Sequence, residues 1–167
     1  SKFILIISLI IVSIFIIIIF KEYKKKQISK ISEKYNKAKI LVEKNNINES
    51  LKLLEEVLSS NNSFYSPSAL NLIIDNNMIK DKQQILNYFE KILTDSGIDK
   101  ETKNLFVFKK IIYLGDEISE NDLLNALNPI IQSDSLYKNT VSDYVKKYYL
   151  SKGEFNKAKE FEISKNN

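Results

Sequence analysis

The sequence predicts an all-α protein in which one N-terminal transmembrane helix precedes an α-solenoid of about four helix pairs. Three observations predict it: residues 3–20 form an uncharged apolar run, apolar residues recur at three- and four-residue spacing from Gln27 onward, and similar segments recur about 35 residues apart. We expect a transmembrane anchor over residues 1–20, a basic juxtamembrane helical segment over 21–39 and a repeat domain over 40–164.

The N-terminal apolar run, Phe3 to Phe20, is interrupted only by Ser8 and Ser13. As a helix it spans about 27 Å, close to the roughly 30 Å of a bilayer's hydrocarbon core. The run is rich in isoleucine, but in lipid only a helix satisfies its own backbone. A cleavable signal peptide is the alternative; it would have a shorter apolar core and end in small residues, whereas Lys21 follows here. We therefore predict an uncleaved anchor that continues into the first helix of the body.

The positive charge of the chain is concentrated beside this run. Residues 21–39 carry eight lysines against two glutamates, whereas residues 40–167 have a net charge of −3. Four lysines directly follow the anchor and are expected to contact lipid head groups: Lys21, Lys24, Lys25 and Lys26. The body is mildly acidic, so we expect no nucleic-acid partner.

Missing residue types restrict the chemistry of the chain. It contains no His, Cys or Trp, and all 25 of its basic residues are lysine. The common general base, the thiolate nucleophile and the usual zinc ligands are therefore absent. No phosphate-binding loop or nucleophile elbow occurs, and neighbouring carboxylates such as Glu55 and Glu56 diverge on a helix. We expect no enzyme activity, no catalytic residues, no metal or cofactor and no small-molecule substrate.

The body is divided into eight predicted helices by Asn-, Ser- and Gly-containing breaks. Their expected spans are 28–44, 47–60, 67–77, 81–94, 99–114, 119–132, 135–151 and 154–164. Asn48, Asp81 and Asp99 are expected to cap the starts of their helices, and Ser119 with Asp122 is typical of a capping box. Pro67 suits a first helical turn. Pro129 predicts either a kink or a later start of its helix.

An internal repeat organises these helices. The segment 51–58 aligns with 86–93 at an offset of 35, with three of eight residues identical. A third copy over 123–131 is weaker, and a fourth over 149–161 is the clearest. A period near 34 fits one helix pair per repeat.

The fourth copy resembles the tetratricopeptide repeat. A large residue on the first helix (Tyr149), a turn glycine (Gly153) and a small residue on the second helix (Ala158) have that repeat's spacing. Gly153 supplies a left-handed helix end, and Ala158 allows close approach of the two helices. Ser50 and Ile85 stand at the alanine position in earlier copies, and the repeat-closing proline is absent. A generic array of amphipathic helices is the alternative.

The single anchor, the basic flank and the degenerate repeats resemble the YfgM-like family of bacterial inner-membrane proteins. The stretch Leu127–Tyr137, together with Tyr149–Phe161, is similar to that family's C-terminal half. The resemblance implies an ancillary partner of the Sec translocon whose domain lies in the periplasm and interacts with periplasmic chaperones. It implies no catalytic residues.

The sequence gives two conflicting signals about membrane orientation. The lysines that follow the anchor favour a cytoplasmic domain by the positive-inside rule. The family resemblance favours a periplasmic domain, and this is the localisation we expect.

Three tyrosines are the candidate partner-binding residues. Tyr137, Tyr144 and Tyr148 share one helical face at offsets of seven and four. They pack between the third and fourth repeats, or they line a groove for a peptide or partner helix. Tyr149 is expected in the core in both cases. Phe64 and Tyr65 are expected in a loop, where they cap the first repeat pair or contact the membrane surface.

These patterns predict a membrane-tethered protein-interaction module without catalytic function. The alternative is a small structural subunit of a larger membrane complex. In both cases the apolar run is expected to confine the chain to a membrane.

Overall fold

A computed structural model describes the backbone of residues 2–163 and the side chains of residue 6 and residues 8–161. This part of the chain contains helices and turns but no β-strand, so the predicted all-α class is confirmed. The helices are α1 (Lys2–Glu43), α2 (Ile47–Ser59), α3 (Tyr65–Asp75), α4 (Lys82–Thr94), α5 (Lys100–Leu114), α6 (Glu120–Ile131), α7 (Lys138–Ser151) and α8 (Phe155–Ile163); a short 3₁₀ turn, Gly115–Glu117, follows α5.

Three of the predicted helix caps are confirmed. Asp81, Asp99 and Ser119 are N-caps whose side-chain oxygens accept backbone N–H groups of the first turns of α4, α5 and α6. The prediction for Asn48 is wrong. Asn46 caps α2 instead, because its amide oxygen faces the Glu49 N–H and its amide nitrogen donates to the Glu49 carboxylate at 3.0 Å.

The two prolines differ in their position within a helix. Pro67 lies in the first turn of α3, as predicted. Pro129 lies inside α6, which begins at Glu120, so the expectation of a later start is wrong. The helix ends at Ile131, two residues after Pro129, and because proline has no N–H the ladder lacks the bond that residue 129 would donate to the Asn125 carbonyl oxygen.

The chain divides into two compact units, Ser1–Lys80 and Asp81–Asn167. In the first unit α2 packs against α1 and α3. Lys37 pairs with Glu49 and Lys34 pairs with Glu56, so α2 runs antiparallel to α1. The buried apolar residues of this unit are Ala38, Leu54, Val57, Leu58, Ala69, Leu70 and Ile73.

In the second unit, helices α4 to α8 pack in sequence, each against the next. Phe89 of α4 lies 6.1 Å from Phe106 of α5, measured between ring centroids. A larger cluster joins α5 to α8. Its buried members are Phe108, Ile111, Leu123, Leu127, Ile130, Ile131, Val141, Val145, Tyr149 and Ala158.

The N-terminal part of α1 has no packing partner among the described residues. Every side chain from Ser8 to Lys30 is exposed, and the first partly buried one is Ile31. The helix is nevertheless continuous from Lys2 to Glu43, as predicted. Within the described residues, no helix combines the length and apolar character that crossing a membrane requires. Residues 3–5 and 7 of the apolar run lie outside the described side chains.

Candidate partner-binding and lipid-facing surfaces

The hairpin of α7 and α8 positions Tyr144 and Tyr148, whereas Tyr137 precedes α7 as its N-cap residue and, contrary to the prediction, does not share their helical face. Gly153 has a φ of 74°, and its N–H donates to the Leu150 carbonyl oxygen at 3.1 Å. The Glu154 N–H donates to the Tyr149 carbonyl oxygen at 3.0 Å. This pair of bonds is a Schellman motif, which ends α7 and reverses the chain. Ala158 of α8 is only 2 % exposed and belongs to the buried cluster that joins α5 to α8.

The hairpin of α1 and α2 repeats this geometry 108 residues earlier. Asn45 has a φ of 57° at the position of Gly153, and the Asn45 and Asn46 N–H groups donate to the carbonyl oxygens of Val42 and Leu41. Ser50 stands at the position of Ala158 and is fully buried. Both hairpins thus combine a left-handed residue in the turn with a small residue at the helix contact.

All three candidate tyrosines are partly buried against the core of the second unit. Tyr144 packs edge-on against Phe108, with ring centroids 5.3 Å apart. Tyr148 packs against Tyr149 at 5.5 Å, and the Lys152 ammonium lies 4.3 Å from its ring centroid. Burial raises the pKa of Tyr144 above its usual value. The three side chains therefore each keep one surface against the core and one toward solvent.

Tyr149 lies in the core, as expected. Its side chain is 2 % exposed, and its hydroxyl group donates to the Glu120 carboxylate at 3.1 Å. Burial, followed by this hydrogen bond to a carboxylate, raises the pKa of Tyr149 to about 12. The ring also lies 5.7 Å from Phe161 of α8.

Glu120 connects three helices of the second unit. Its carboxylate, at the start of α6, accepts hydrogen bonds from Tyr149 of α7 and from the Lys157 ammonium of α8 at 2.7 Å. Lys157 also pairs with Glu154 at 2.6 Å. The bond from Lys157 lowers the pKa of Glu120, and the two carboxylates raise the pKa of Lys157. Sequence reasoning missed this network because its members are 29 and 37 residues apart and leave no local pattern.

Glu101 of α5 is hydrogen-bonded to the α6–α7 loop. Sequence reasoning also missed this contact. Its carboxylate accepts hydrogen bonds from the Ser135 hydroxyl group at 2.8 Å and from the Leu136 N–H at 3.0 Å. Asn104 donates to the other carboxylate oxygen at 3.2 Å. The Leu136 side chain is 82 % exposed, directly before Tyr137.

The predicted lipid-contacting lysines are exposed on α1. Successive helical residues are separated by about 100°, so Lys21, Lys24 and Lys25 share one side of the helix at i, i+3 and i+4, whereas Lys26 lies further round. Lys24 lies over the Phe20 ring, with its ammonium 5.1 Å from the centroid. This arrangement concentrates positive charge on one broad side of the helix just beyond the apolar run.

The two aromatic residues that begin α3 have different environments. The Tyr65 hydroxyl group donates to the Ser32 hydroxyl oxygen at 2.9 Å, and its ring lies 5.6 Å from that of Tyr35. Phe64 packs edge-on against Tyr65 but remains 67 % exposed. Tyr65 therefore covers the end of the first unit by packing against α1, whereas Phe64 faces solvent.

Among the described residues, no group of three or more acidic side chains is arranged to hold a metal ion. In the same part of the chain every buried side-chain nitrogen or oxygen atom has a hydrogen-bond partner. Compared with protein-family models, curated proteins and solved structures, the chain shows no significant match.

Proposed function

We propose that the chain is a membrane-tethered protein-interaction module. The observation that carries this proposal is the exposure of α1: its described side chains from Ser8 to Phe20 are nearly all apolar, and all of them are exposed. A helix that is apolar on every side requires an apolar environment. Burying one large apolar side chain contributes about 1.5–3 kcal/mol, so a bilayer around this segment is strongly favoured.

Alkaline extraction of membranes tests the anchor. We expect the full chain to remain in the membrane fraction, and we expect the double substitution Ile11→Lys and Ile14→Lys to release it, because a lysine in mid-bilayer costs about 2.5–3.5 kcal/mol. Ile40→Lys is the matched control, since Ile40 is exposed on the same helix but outside the apolar run. Extraction of the unmodified chain would contradict the anchor.

The body of the chain is proposed to be a tetratricopeptide-like solenoid that binds a protein. The recurring hairpin geometry at Asn45 and Gly153 and the small buried residues Ser50 and Ala158 support this architecture. The solvent-facing sides of Tyr137, Tyr144 and Tyr148 are the proposed contact surface. By its resemblance to the YfgM-like family, the proposed partners are the Sec translocon and periplasmic chaperones.

Photocrosslinking in cells tests this surface. A photoreactive phenylalanine analogue at Tyr144 or Tyr148 preserves the aromatic ring that packs on the core. We expect it to form defined adducts with a protein partner, whereas the same analogue at Asn125, an exposed residue of α6, forms none. Identical adducts at all three positions, or none at the tyrosines, would contradict a partner surface here.

The membrane side on which the domain lies is tested with a single cysteine, since the chain has none. We propose a periplasmic domain in a bacterial inner membrane. Asn125→Cys should then react with an impermeant thiol reagent once the outer membrane alone is opened. Reaction only after the inner membrane is broken would place the domain in the cytoplasm, as the lysines after the anchor favour.

A structural subunit of a larger membrane complex is the second candidate. Exposed apolar side chains of the second unit favour it, namely Ile112, Leu136 and Phe155. Native gel electrophoresis of the detergent-solubilised membrane separates the two candidates. A single stoichiometric band of high mass supports the subunit, whereas a substoichiometric or smeared band supports the interaction module.

A further inference from the structure

One side of α1 carries a row of four lysines. Its members recur at spacings of four, four and three residues, which places them on the same side of the helix. They are Lys26, Lys30, Lys34 and Lys37. α2 supplies the carboxylates for half of this row, because Glu56 pairs with Lys34 at 2.6 Å and Glu49 pairs with Lys37 at 3.1 Å. The two lysines farther from the apolar run are therefore neutralised by α2.

The two lysines nearer the apolar run, Lys26 and Lys30, lie beyond the end of α2. The helix ends at Ser59, and an open cleft at its end is lined by residues of both helices, among them Lys30 and Ser60. Residues 57–74 have no charged side chain, so the loop that follows α2 brings no carboxylate. Both lysines are exposed, and neither forms an ion pair with any described residue. The row of lysines thus continues the α1–α2 interface without its carboxylates.

The height of these lysines above the proposed anchor determines which molecules reach them. At about 1.5 Å per residue, Lys26 and Lys30 lie about 9 and 15 Å beyond Phe20 along α1. The head-group layer is about 5–7 Å thick. The mean tilt of a membrane helix, about 20°, shortens these heights by about 1 Å or less. Lys26 therefore lies at the outer edge of the head groups and Lys30 lies beyond them, so a partner that pairs with both must extend out of the bilayer.

The exposed stretch of α1 is too short to hold an independent helix. Only residues 21–30 separate the apolar run from Ile31, the first partly buried residue. Isolated helices shorter than about 12–15 residues are marginal in water, so an occupant of this stretch must be held in place elsewhere. A transmembrane helix that packs beside α1 is held by the bilayer, and its first turns outside the bilayer lie level with Lys26 and Lys30.

We propose that Lys26 and Lys30 bind the acidic juxtamembrane end of a partner protein's transmembrane helix, which continues the carboxylate side of α2 toward the bilayer. α2 shows the chemistry required, since its Glu49 and Glu56 lie two turns apart and pair with the other half of the lysine row. This inference rests on the proposed anchor. It adds a second contact surface to the proposed interaction module and assigns that surface a class of partner, a membrane protein with carboxylates just outside its apolar segment.

Energy transfer in phosphatidylcholine vesicles tests the contact with a defined probe. The probe is a synthetic helix of about 20 leucine and alanine residues that carries glutamate at the sixth and tenth residues after this apolar segment, and a matched probe carries glutamine there. The full chain is labelled through Asn36→Cys, since Asn36 is exposed on α1 and the chain has no cysteine. We expect the glutamate probe to associate about fivefold more tightly, the effect of two exposed ion pairs, and less so at high salt.

Paired variants show whether the two lysines carry this preference. Lys26→Gln combined with Lys30→Gln should abolish it. Lys21→Gln combined with Lys25→Gln is the matched control, because it removes the same charge from the other side of the same stretch, and the preference should persist. Carbodiimide coupling should also join the glutamates of the probe to Lys26 and Lys30. Equal loss in the two double variants, or equal association of the two probes, would overturn the proposal.

Two further measurements separate this contact from lipid binding and from the anchor itself. Adding phosphatidylglycerol to the vesicles should leave the preference for the glutamate probe measurable, because Lys30 lies beyond the head groups. Complete loss of the preference there would assign both lysines to lipid phosphates and overturn the proposal. Flotation of the vesicles is measured first. A chain that floats with them but does not distinguish the probes would overturn this contact and leave the anchor standing, whereas a chain that does not float would overturn both.

Discussion

The Ser50 hydroxyl group donates a hydrogen bond to the Ala38 carbonyl oxygen across the contact of α1 and α2, at an Oγ–O distance of 2.9 Å. Both residues are fully buried. A serine in place of the alanine found at position 158 therefore keeps the small volume that the helix contact requires. It also finds an acceptor for its hydroxyl group, so the polar atom is not left unpaired.

The stability of Ser50 variants should depend on the volume of the new side chain more than on its polarity. Ser50→Ala removes one hydrogen bond and should cost about 0.5–1.5 kcal/mol, whereas Ser50→Leu also overpacks the contact and should cost about 1–3 kcal/mol more. Thermal unfolding of the full chain in detergent, followed by circular dichroism, measures both. Equal effects of the two substitutions would contradict a close helix contact at this position.

The left-handed residues of the two hairpins predict a reciprocal pair of substitutions. Gly153→Ala should cost about 1–2 kcal/mol, because alanine is strained at a φ of 74°. No atom other than its own neighbours lies within 4 Å of a Cβ added there, so the cost is one of backbone conformation. Asn45→Gly should be neutral or stabilising. Hydrogen exchange of α8 and α2 measures the two effects, and faster exchange in Asn45→Gly would contradict the shared geometry.

The regular part of the fold was predictable because its signals are local. Capping side chains such as Asp81, Asp99 and Ser119 act on N–H groups two or three residues away, so the sequence alone identifies the helix starts. The start of α2 is the exception, because local signals did not identify its cap. Asn46 and Asn48 are chemically equivalent as caps, and the choice between them depends on where the Schellman turn at Asn45 ends α1.

The candidate surfaces were predictable only in part. Helical spacing places Tyr144 and Tyr148 on one face, but their packing on Phe108 and Tyr149 depends on how α5 and α7 meet. The same applies to Glu101, whose partners lie 34 and 35 residues away. Period and composition describe one helix at a time, whereas contacts between helices also depend on the turns that join them.

Loss of the Glu101 carboxylate should loosen the α6–α7 loop. Glu101→Ala removes the acceptor of the Leu136 N–H and of the Ser135 hydroxyl group. Because the site is partly exposed, we expect a loss of about 1 kcal/mol, equivalent to roughly fivefold faster exchange of the Leu136 amide hydrogen. Glu160→Ala, at an exposed position of α8, is the control. Unchanged exchange of the Leu136 amide hydrogen would show that the loop keeps its conformation without the Glu101 carboxylate.

Docking of α8 should weaken in acid through Glu120. The pKa of this carboxyl is lowered from 4.5 in the folded chain, chiefly by the hydrogen bond from Lys157. Its contribution is therefore present above pH 4.5 and is lost as the pH falls through the lowered folded-state value. Hydrogen exchange of α8, corrected for intrinsic rates, should rise in this range. Glu120→Gln should show faster exchange already at neutral pH and a flatter acid response.

At the alkaline end, Tyr149 should be the group of this network that limits stability. Its folded-state pKa is about 12 against an ordinary value of 10.0, because its ring is buried and its hydroxyl group donates to Glu120. The neutral phenol thus contributes stability in full below pH 10, and this contribution is lost as the pH rises toward 12. Tyr149→Phe should lower stability at neutral pH, where the hydrogen bond is lost, but should remove this part of the alkaline loss. Ultraviolet titration of tyrosinate should lose its latest ionisation in Tyr149→Phe and keep it in the control Tyr23→Phe. Retention of that ionisation in Tyr149→Phe would assign it to another tyrosine and contradict the buried, carboxylate-bonded hydroxyl group.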